Sequence, residues 1–336
     1  MVKMVLSWLM CSFLLFCSSS GWGKDVAVLR LKSYYASNLA YSGVLAGLAT
    51  NGYVEGDRLS IVNFDAEGDP QRLVALAEEI AAGNFDLIVT LSTAALEAMA
   101  HANLETKIPH VFTFVSTPSV VDVGVTEDGI HPDHITGLYH PNPVPSAFRL
   151  AREMDPSLAK VGLVWSPIEK NSAYQTDMAR EICLALNIEL IERTVSSADE
   201  VLAMAQDLSD QQVEAFFMNG DNVVLPAIQD IVQTARIARI PVFFVGSGGI
   251  DEGTLFDLGT DYEQSSFIAG EMGAAILDGQ SPADIPVVRY TTESLFLNLN
   301  ALVDLKDPWT VTDQMKLRAE RIIGETSNVP AWEEIQ

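Results

Sequence analysis

Short apolar segments alternate with amphipathic segments along most of this chain. The apolar segments are rich in β-branched and aromatic residues and are bounded by polar residues, Gly or Pro, a pattern that predicts buried β-strands. We predict nine such strands, at residues 26–31, 59–64, 85–91, 110–115, 135–139, 161–165, 189–195, 215–219 and 241–245.

The segments between these strands carry start and stop signals of helices. Asp69-Pro70 places an N-cap before a proline in the first turn, and Gly83 ends the same segment. Asn51-Gly52 ends another helix. Helices are predicted at residues 37–50, 70–82, 172–186, 222–238 and 262–277.

Several predicted strands are apolar at nearly every position. Residues 86–91 are DLIVTL and residues 241–246 are PVFFVG, which indicates burial of both faces and hence a parallel sheet covered by helices. Alternating strands and helices over roughly 250 residues are typical of doubly wound α/β architecture. Because nine strands exceed the usual size of one sheet, we predict two doubly wound parallel-sheet lobes joined by a hinge.

The connection between the two series of elements is marked by proline. Three prolines lie within residues 141–146, and they stiffen the chain there. After Pro282 the pattern returns to strands, at residues 287–290 and 295–299, and then to a helix around residues 312–323.

The first 23 residues are predicted to be a cleaved export signal. Lys3 precedes an uncharged apolar run at residues 5–16, which is shorter than the ~20 residues that a membrane-spanning helix needs. Gly21 and Gly23 follow as small residues around one tryptophan, so we place cleavage after Gly23. The mature protein is therefore expected in the periplasm.

The cysteines argue against a lipid anchor and against a disulfide. A lipid-modified cysteine needs a small residue before it, but Cys11 follows Met10 and Cys17 follows Phe16. Removal of the signal leaves Cys183 alone, within an apolar helical segment. We interpret it as a small buried hydrophobic residue rather than a reactive thiol.

The charge of the chain excludes two classes of partner. Asp and Glu number 45 against 20 Lys and Arg, which gives a formal net charge of −25. A surface this acidic repels phosphate backbones and anionic lipid headgroups, so neither a nucleic acid nor a membrane surface is expected as partner.

Candidate binding residues follow the predicted strands. In open α/β sheets, ligands bind beyond the carboxyl ends of strands, where helix N-termini point. The residues at these places are small, hydroxylic, amide-bearing, acidic or aromatic. They are Tyr34, Tyr35, Ser92, Thr93, Ala94, Ser116, Thr117, Asn171, Asp221, Asn222 and Ser247.

Each of these groups has a structural interpretation beside the functional one. Ser92 and Thr93 suit a ligand carboxylate but also suit plain helix capping, and both roles are compatible. Asp221 suits a ligand ammonium group or a helix cap. Tyr34 and Tyr35 suit stacking on a ligand or packing at an interface.

Other kinds of chemistry lack their motifs. The glycines at residues 246–249 do not have the G-x-G-x-x-G spacing of a dinucleotide site, and the chain has neither a phosphate-binding P-loop motif nor a G-x-S-x-G nucleophile motif. His131, His134 and His140 are interpreted as solvated loop histidines rather than metal ligands. We therefore expect no cofactor, no metal and no enzymatic activity.

An ordered set of segments is similar to a known family. Residues 47–56, GLATNGYVEG, resemble the G-x-x-x-x-G-Y-x-E-G segment of one group of ABC-importer substrate-binding proteins, which includes tryptophan- and tyrosine-binding members. The resemblance covers residues 25–305. Further matching segments are residues 86–89, 92–94, 108–112, 135–137, 219–222, 240–243, 259–262 and 297–298.

This resemblance implies a type I periplasmic-binding fold with three crossovers between the lobes. It predicts a signal at residues 1–23, a first lobe of residues 24–143 plus about 262–285, and a second lobe of 144–261 plus about 286–330. Ser92, Thr93 and Ala94 would hold the polar head of the ligand, with Ser116 and Thr117 beside them. From the other lobe, the closing residues would be Asn171, Asp221, Asn222, Ser247 and, in the matching segment at 259–262, Asp261.

Two segments at the expected mouth depart from the family. Thr117 precedes Pro118 where the family often has Asp, and residues 32–36 are KSYYA where the family often has a Glu-His-Pro type of sequence. Both differences bear on the ligand rather than on the fold.

Three functions agree with these observations. The first is a monomeric solute-binding protein that delivers a small ligand, with an aromatic amino acid as the first choice, to an ABC permease in the inner membrane. The second is a ligand-sensing partner of a membrane receptor, and the third is an exported α/β enzyme. Tyr34 and Tyr35 favour the aromatic ligand.

Overall fold

The computed structural model describes residues 23–324. The predicted export signal lies outside these residues, apart from Gly23. None of the helices within the described range is both long and apolar enough to cross a bilayer.

Thirteen strands and ten α-helices alternate through residues 23–324. The strands are β1 (Lys24–Arg30), β2 (Leu59–Asp65), β3 (Leu87–Leu91), β4 (His110–Val115), β5 (Ile135–Tyr139), β6 (Lys160–Trp165), β7 (Glu189–Thr194), β8 (Ala215–Met218), β9 (Val242–Phe244), β10 (Phe256–Gly259), β11 (Val288–Arg289), β12 (Ser294–Asn298) and β13 (Ala319–Ile323). The helices are α1 (Tyr35–Thr50), α2 (Pro70–Ala82), α3 (Thr93–Ala102), α4 (Val144–Met154), α5 (Lys170–Leu186), α6 (Val201–Asp210), α7 (Ile228–Ala238), α8 (Gly249–Glu252), α9 (Tyr262–Leu277) and α10 (Asp313–Arg318).

The strands form two separate sheets, as the sequence predicts. The first sheet has the order β11-β5-β4-β3-β1-β2, and the second has the order β13-β12-β10-β9-β8-β6-β7. All pairs are parallel except β10 with β12. All nine strands predicted before residue 246 are confirmed, and every residue of β3 and β9 is buried, as their apolar sequences indicate.

Two predictions at helix boundaries are wrong. The helix predicted around residues 312–323 ends at Arg318, because Ala319–Ile323 pairs with β12 as an edge strand. The helix predicted from residue 222 begins at Ile228, because the preceding residues form a turn around Asp221 and a short 3-10 helix at Leu225–Ala227. The sequence analysis also missed β10, which is only four residues long.

Three connections cross between the lobes. They run from β5 to α4, from β10 to α9, and from β11 to β12. Pro141 and Pro143 lie in the first of them, and Pro145 is in the first turn of α4. Since β11 pairs with β5, the first sheet extends to Arg289, a few residues beyond the limit of about 285 that the sequence predicts.

Each sheet is covered by helices on both faces. In the second lobe, four phenylalanine rings pack one against the next where α4 lies on the sheet. The ring centroids are 4.8 Å apart for Phe148–Phe217, 5.3 Å for Phe217–Phe243 and 5.4 Å for Phe243–Phe256. Cys183 lies buried in the same cluster, and burial raises the pKa of its thiol to about 12. The interpretation of Cys183 as a hydrophobic core residue is confirmed.

In the first lobe, α1 and α9 pack with their backbones in contact. A Cβ atom added to Gly43 would lie 2.2 Å from the carbonyl oxygen of Glu263, and one added to Gly47 would lie 2.1 Å from that of Phe267. Gly270 makes the reciprocal contact, 2.3 Å from the carbonyl oxygen of Val44. The two helices run in the same direction, so both N-termini lie at the edge of the sheet that faces the second lobe.

We predict that Gly47→Ala lowers the free energy of unfolding by about 2–3 kcal/mol, because a methyl group facing a backbone carbonyl forces the helices apart. Helix propensity alone would make the Gly47→Ala variant more stable by about 1 kcal/mol. The sign of the change in unfolding free energy therefore shows whether steric contact or helix propensity dominates. Urea unfolding checks this, with the exposed Ser42→Ala on α1 as control. A stabilised Gly47→Ala would contradict the close helix contact.

Candidate ligand-binding site

The strand ends of the two sheets enclose a cavity of about 260 Å³ between the lobes. The first lobe contributes residues that follow β1, β3, β4 and β5, and the second lobe contributes residues that follow β8 and β9 and the start of α5. This is the edge at which open α/β sheets bind ligands. The cavity is somewhat smaller than the roughly 300–1,000 Å³ of pockets for drug-sized molecules, so it suits a small metabolite.

Eight of the twelve predicted site residues line this cavity. The first lobe provides five of them and the second lobe provides three, so the cavity brings the predicted residues of both lobes together. They are Tyr34, Tyr35, Ser92, Thr93, Ser116, Asn171, Asn222 and Ser247.

Asp221 does not reach the cavity. It is fully buried, and its carboxylate accepts hydrogen bonds from the backbone N–H of Ser166 at 2.6 Å and from the hydroxyl of Ser172 at 2.6 Å. The backbone N–H groups of Val223 and Val224 also donate to it, at 2.8 and 3.1 Å. Both carboxylate oxygens of Asp221 are therefore used to stabilise the turn after β8. This arrangement favours the structural role of Asp221 over direct contact with a ligand ammonium group.

Three further predicted residues lie beside the cavity rather than in its wall. Ala94 faces a neighbouring groove that also includes Ile168. Thr117 is buried before the short 3-10 helix at Pro118–Val120. Asp261 caps α9 by accepting from the backbone N–H of Gln264 at 2.9 Å.

Two residues of the cavity wall have backbone conformations that favour glycine. Ser92 has φ 126° and Phe114 has φ 57°, at the carboxyl ends of the adjacent strands β3 and β4. Such conformations cost free energy and concentrate at functional sites. Ser92 also accepts from the backbone N–H of Ala95 at 3.2 Å, so it caps α3 and lines the cavity at once.

Three helices of the first lobe begin at the cavity wall, and one of them, α9, starts at Tyr262 with Asp261 as its cap. Helix α3 starts at Thr93, and α1 starts at Tyr35 with no side chain capping its first N–H groups. Helix N-termini carry partial positive charge and unpaired N–H donors. This side of the cavity is therefore suited to a carboxylate.

An aromatic wall, made of Tyr34, Phe114, His140 and Tyr262, borders the same cavity. Phe114 and Tyr262 meet edge to face with centroids 4.7 Å apart, and His140 lies 5.0 Å from Tyr262. Tyr34 lies 6.3 Å from Phe114. Such a surface suits a flat apolar or aromatic group.

The interpretation of His140 as a solvated loop residue is wrong. It follows β5 directly and is only 3% exposed, whereas His131 and His134 lie on the preceding loop and are half-buried. Burial lowers the pKa of His140 to about 4, so its ring is neutral at pH 7. Within the described residues, no group of three His, Cys, Asp or Glu side chains could hold a metal ion.

The sequence analysis also missed cavity residues that carry no motif. Phe114 and Tyr262 read as an ordinary strand residue and an ordinary first helical residue, and Asn142 and Gln175 lie in a loop and a helix with no distinguishing neighbours. Phe114 lies near the end of β4 and His140 directly follows β5, and this position at a strand end was the one sequence feature that could have identified them as cavity residues. Gln175 could be found only from the packing of the two lobes.

The lobes contact each other across the cavity. The hydroxyl of Tyr34 donates to Oδ1 of Asn222 at 3.1 Å, and burial raises the pKa of Tyr34, so this hydroxyl stays protonated. Asn222 in turn donates from its side chain to Glu169 at 2.7 Å. Lys170 reaches Glu97 at 2.5 Å, and Gly248 packs under the ring of Tyr35. The cavity is therefore in a closed arrangement.

Glu169 belongs to this interlobe chain of hydrogen bonds. Burial and the neighbouring Asp221 raise the pKa of its carboxyl to about 7, while its hydrogen bonds to Asn222 oppose the rise.

The charged side chains in the cavity lining are acidic. The lining includes Asp251 and Glu252 but, among the described residues that form it, no Lys or Arg. The site therefore combines helix N-termini for an anionic group with acidic side chains for a cationic one.

We predict that acid weakens the folded state partly through His140. Between pH 6.5 and 4 the unfolded chain, whose histidines titrate near 6.5, binds more protons than the folded chain, so the free energy of unfolding falls as pH falls. In His140→Phe this loss between pH 7.5 and 5 should be smaller by about 2 kcal/mol. Urea unfolding at both pH values measures it, and an unchanged loss would contradict the burial of His140.

Known proteins are similar to this chain in sequence and in fold. A tyrosine-binding protein of Clostridioides difficile (strain R20291) is 25% identical over 300 residues, which are 89% of this chain and 84% of that protein. Among solved structures, a conserved domain protein from Vibrio cholerae has a TM-score of 0.82 and 27% identity, covering 89% of this chain and 99% of that chain.

An ABC domain in complex with L-Trp from Streptococcus pneumoniae has a TM-score of 0.81 and 22% identity, covering 90% of this chain and all of that chain. The expected type I periplasmic-binding fold is thereby confirmed. The family model described as ABC transporter substrate binding protein matches residues 25–322. With nearly all of the described chain inside that match, this protein belongs to the ABC transporter substrate-binding protein family.

Proposed function

We propose that this protein is the exported solute receptor of an ABC importer and that its ligand is an aromatic amino acid, held in the closed cavity between the lobes. The observation that carries the proposal is the aromatic wall beside the N-terminus of α3 and the uncapped N-terminus of α1, in a cavity of about 260 Å³. Two relatives support the ligand class, since one is named for tyrosine and the other contains L-Trp.

The lining residues divide into three chemical regions. The ligand carboxylate would bind at Ser92 and Thr93, where backbone N–H groups and the dipole of α3 favour a negative charge. The ammonium group would lie toward Asp251 and Glu252, since no basic side chain is present in the described lining. The ring would lie against the aromatic wall.

The remaining predicted contacts are part of this proposal. Tyr35, Asn171 and Ser247 would close over the ligand, while Asp221 and Asp261 would act indirectly, by shaping the turn after β8 and by capping α9. We propose no catalytic role for His140, because neither ring nitrogen has a hydrogen-bond partner among the described residues to orient it as a base.

Transport would follow from closure of the two lobes around the ligand. Contacts to both lobes stabilise the closed form, and a permease in the inner membrane would recognise it. The three crossovers form the hinge in this scheme. We propose that the protein acts in the periplasm, as a monomer, after removal of residues 1–23.

The proposal predicts selective stabilisation by aromatic amino acids. Purified protein, stripped of any ligand carried through purification, would be heated with each amino acid, a set of sugars and a set of nucleosides. A ligand at 100 times its dissociation constant adds about 2.7 kcal/mol to stability, which raises the melting temperature visibly. A rise with tyrosine, tryptophan or phenylalanine alone is expected. A rise with sugars or nucleosides instead would refute the ligand class, and no rise with any compound would refute the receptor function as proposed.

Tyr34→Phe tests the role of closure. The substitution keeps the aromatic ring but removes the hydroxyl that donates to Asn222 across the cavity, so the closed form loses one hydrogen bond. A net loss of about 1 kcal/mol corresponds to about fivefold weaker binding in isothermal titration. Tyr41→Phe, in the helix that follows Tyr34, is the control, since the Tyr41 ring lies under Arg30 and does not line the cavity. Equal affinities of the two variants would argue against the interlobe bond.

A further inference from the structure

Three polar side chains in the cavity wall have buried atoms without a hydrogen-bond partner. The atoms are Oγ of Ser116, both ring nitrogens of His140 and Nε2 of Gln175. These residues are 7%, 3% and 1% exposed. A buried polar atom without a partner costs free energy and is uncommon in folded proteins, so four such atoms on three residues of one cavity wall call for an explanation. We name these three residues the polar cluster.

The polar cluster is brought together by strand register and by the closed arrangement of the lobes. Val115 pairs with Tyr139, and the backbone N–H of His140 donates to Val115 at 2.9 Å, so Ser116 and His140 are neighbours on adjacent strand ends. Gln175 comes from the opposite lobe, near the segment that follows His140.

Gly220 marks where Gln175 meets the first crossover. A Cβ atom added to Gly220 would lie 3.5 Å from Nδ2 of Asn142 and 3.7 Å from Nε2 of Gln175. Asn142 is only two residues after His140 in the chain. Gln175, on the second lobe, therefore lies at the same end of the cavity as His140, on the first lobe.

The polar cluster offers donors and acceptors but no charge. A neutral imidazole has one donor and one acceptor nitrogen, and a serine hydroxyl can act as either. Gln175 uses its amide oxygen to accept from the backbone N–H of Gly220 at 3.2 Å, which leaves its Nε2 as a donor. Burial keeps the pKa of His140 at about 4 and the ring neutral. Such a set matches an uncharged polar group better than a carboxylate or an ammonium group.

Within the polar cluster, His140 and Gln175 lie away from the N-terminus of α3, whereas Ser116 follows β4 and lies one strand spacing from Ser92. Ser92 ends β3 and His140 follows β5, which are separated by β4, so the two positions are about 10 Å apart at two strand spacings. Tyr262 and Phe114 flank His140, with centroids 5.0 and 6.1 Å away. A ligand with its carboxylate at Ser92 and its ring on the aromatic wall would therefore present the far edge of the ring to the polar cluster.

We infer that Ser116, His140 and Gln175 recognise a hydrogen-bonding group on the ligand ring and so select tyrosine over phenylalanine. This inference rests on the proposed function, because it assumes an aromatic amino acid in the cavity. A phenol both donates and accepts, an indole N–H only donates, and a phenyl ring does neither. The expected order of affinity is tyrosine, then tryptophan, then phenylalanine.

The test is isothermal titration of the full protein with tyrosine, tryptophan and phenylalanine. Sites built around a ligand hydroxyl reject the analogue that lacks it strongly, so wild type should bind tyrosine at least about a hundredfold more tightly than phenylalanine. His140→Phe and Gln175→Leu should each reduce this ratio to about tenfold or less. The reduction should come from weaker tyrosine binding, with phenylalanine affinity retained or improved.

Controls separate recognition from damage to the fold. His131→Phe, on the loop before β5, should leave the ratio unchanged. Circular dichroism and thermal unfolding would show whether His140→Phe folds, and Gln175→Leu, from the other lobe, tests the same subsite if it does not.

The outcomes distinguish this inference from the proposed function. Wild type that binds phenylalanine as tightly as tyrosine would overturn the inference and leave an aromatic amino-acid receptor. A wild-type preference for tyrosine that persists in both variants would also overturn it. No binding of any of the three amino acids would overturn the inference and the proposed ligand together.

Discussion

The backbone contact between α1 and α9 is the constraint on which the site depends. Gly43, Gly47 and Gly270 let two helices that are distant in sequence approach until their backbones touch. Because the helices run side by side in the same direction, the contact fixes Tyr34 and Tyr35 beside Tyr262 at the cavity. Helix packing within the first lobe thus places Tyr34 and Tyr262 in the aromatic wall, next to Phe114 and His140 from β4 and the end of β5.

Closure then joins this wall to groups on the second lobe. Tyr34 reaches Asn222, and Asn222 is held by Glu169, so one chain of hydrogen bonds runs from the aromatic wall into the other lobe. Asp221 stabilises the position of Asn222 in this chain, because its four hydrogen bonds hold the turn that contains Asn222. The buried acid predicted as a ligand contact therefore positions its neighbour Asn222, which lines the cavity.

The sequence predicted the strands and the edge at which the cavity forms, because both depend on local patterns. Buried strands such as β3 are continuous apolar runs, and Ser92 at the end of β3 is recognisable from its place before a helix. The burial of His140 could not be predicted from local patterns. His140 is followed by Pro141, Asn142 and Pro143, so it reads as a loop residue, yet Tyr262 of α9 packs against it from more than 100 residues later in the chain. Gln175 likewise has no local signal, since Gly220 and Asn142, which lie near its amide group, come from distant parts of the chain.

The three crossovers also affect how the chain can mature. The apolar face of α1 stays uncovered until α9 has been made, and Gly47 and Phe267 are separated by roughly 220 residues. Neither lobe is a contiguous piece of chain, so an incomplete nascent polypeptide cannot finish the first lobe early. Folding of the two lobes is thereby coupled, because the contact that completes the first lobe forms only after the residues of most of the second lobe have been made.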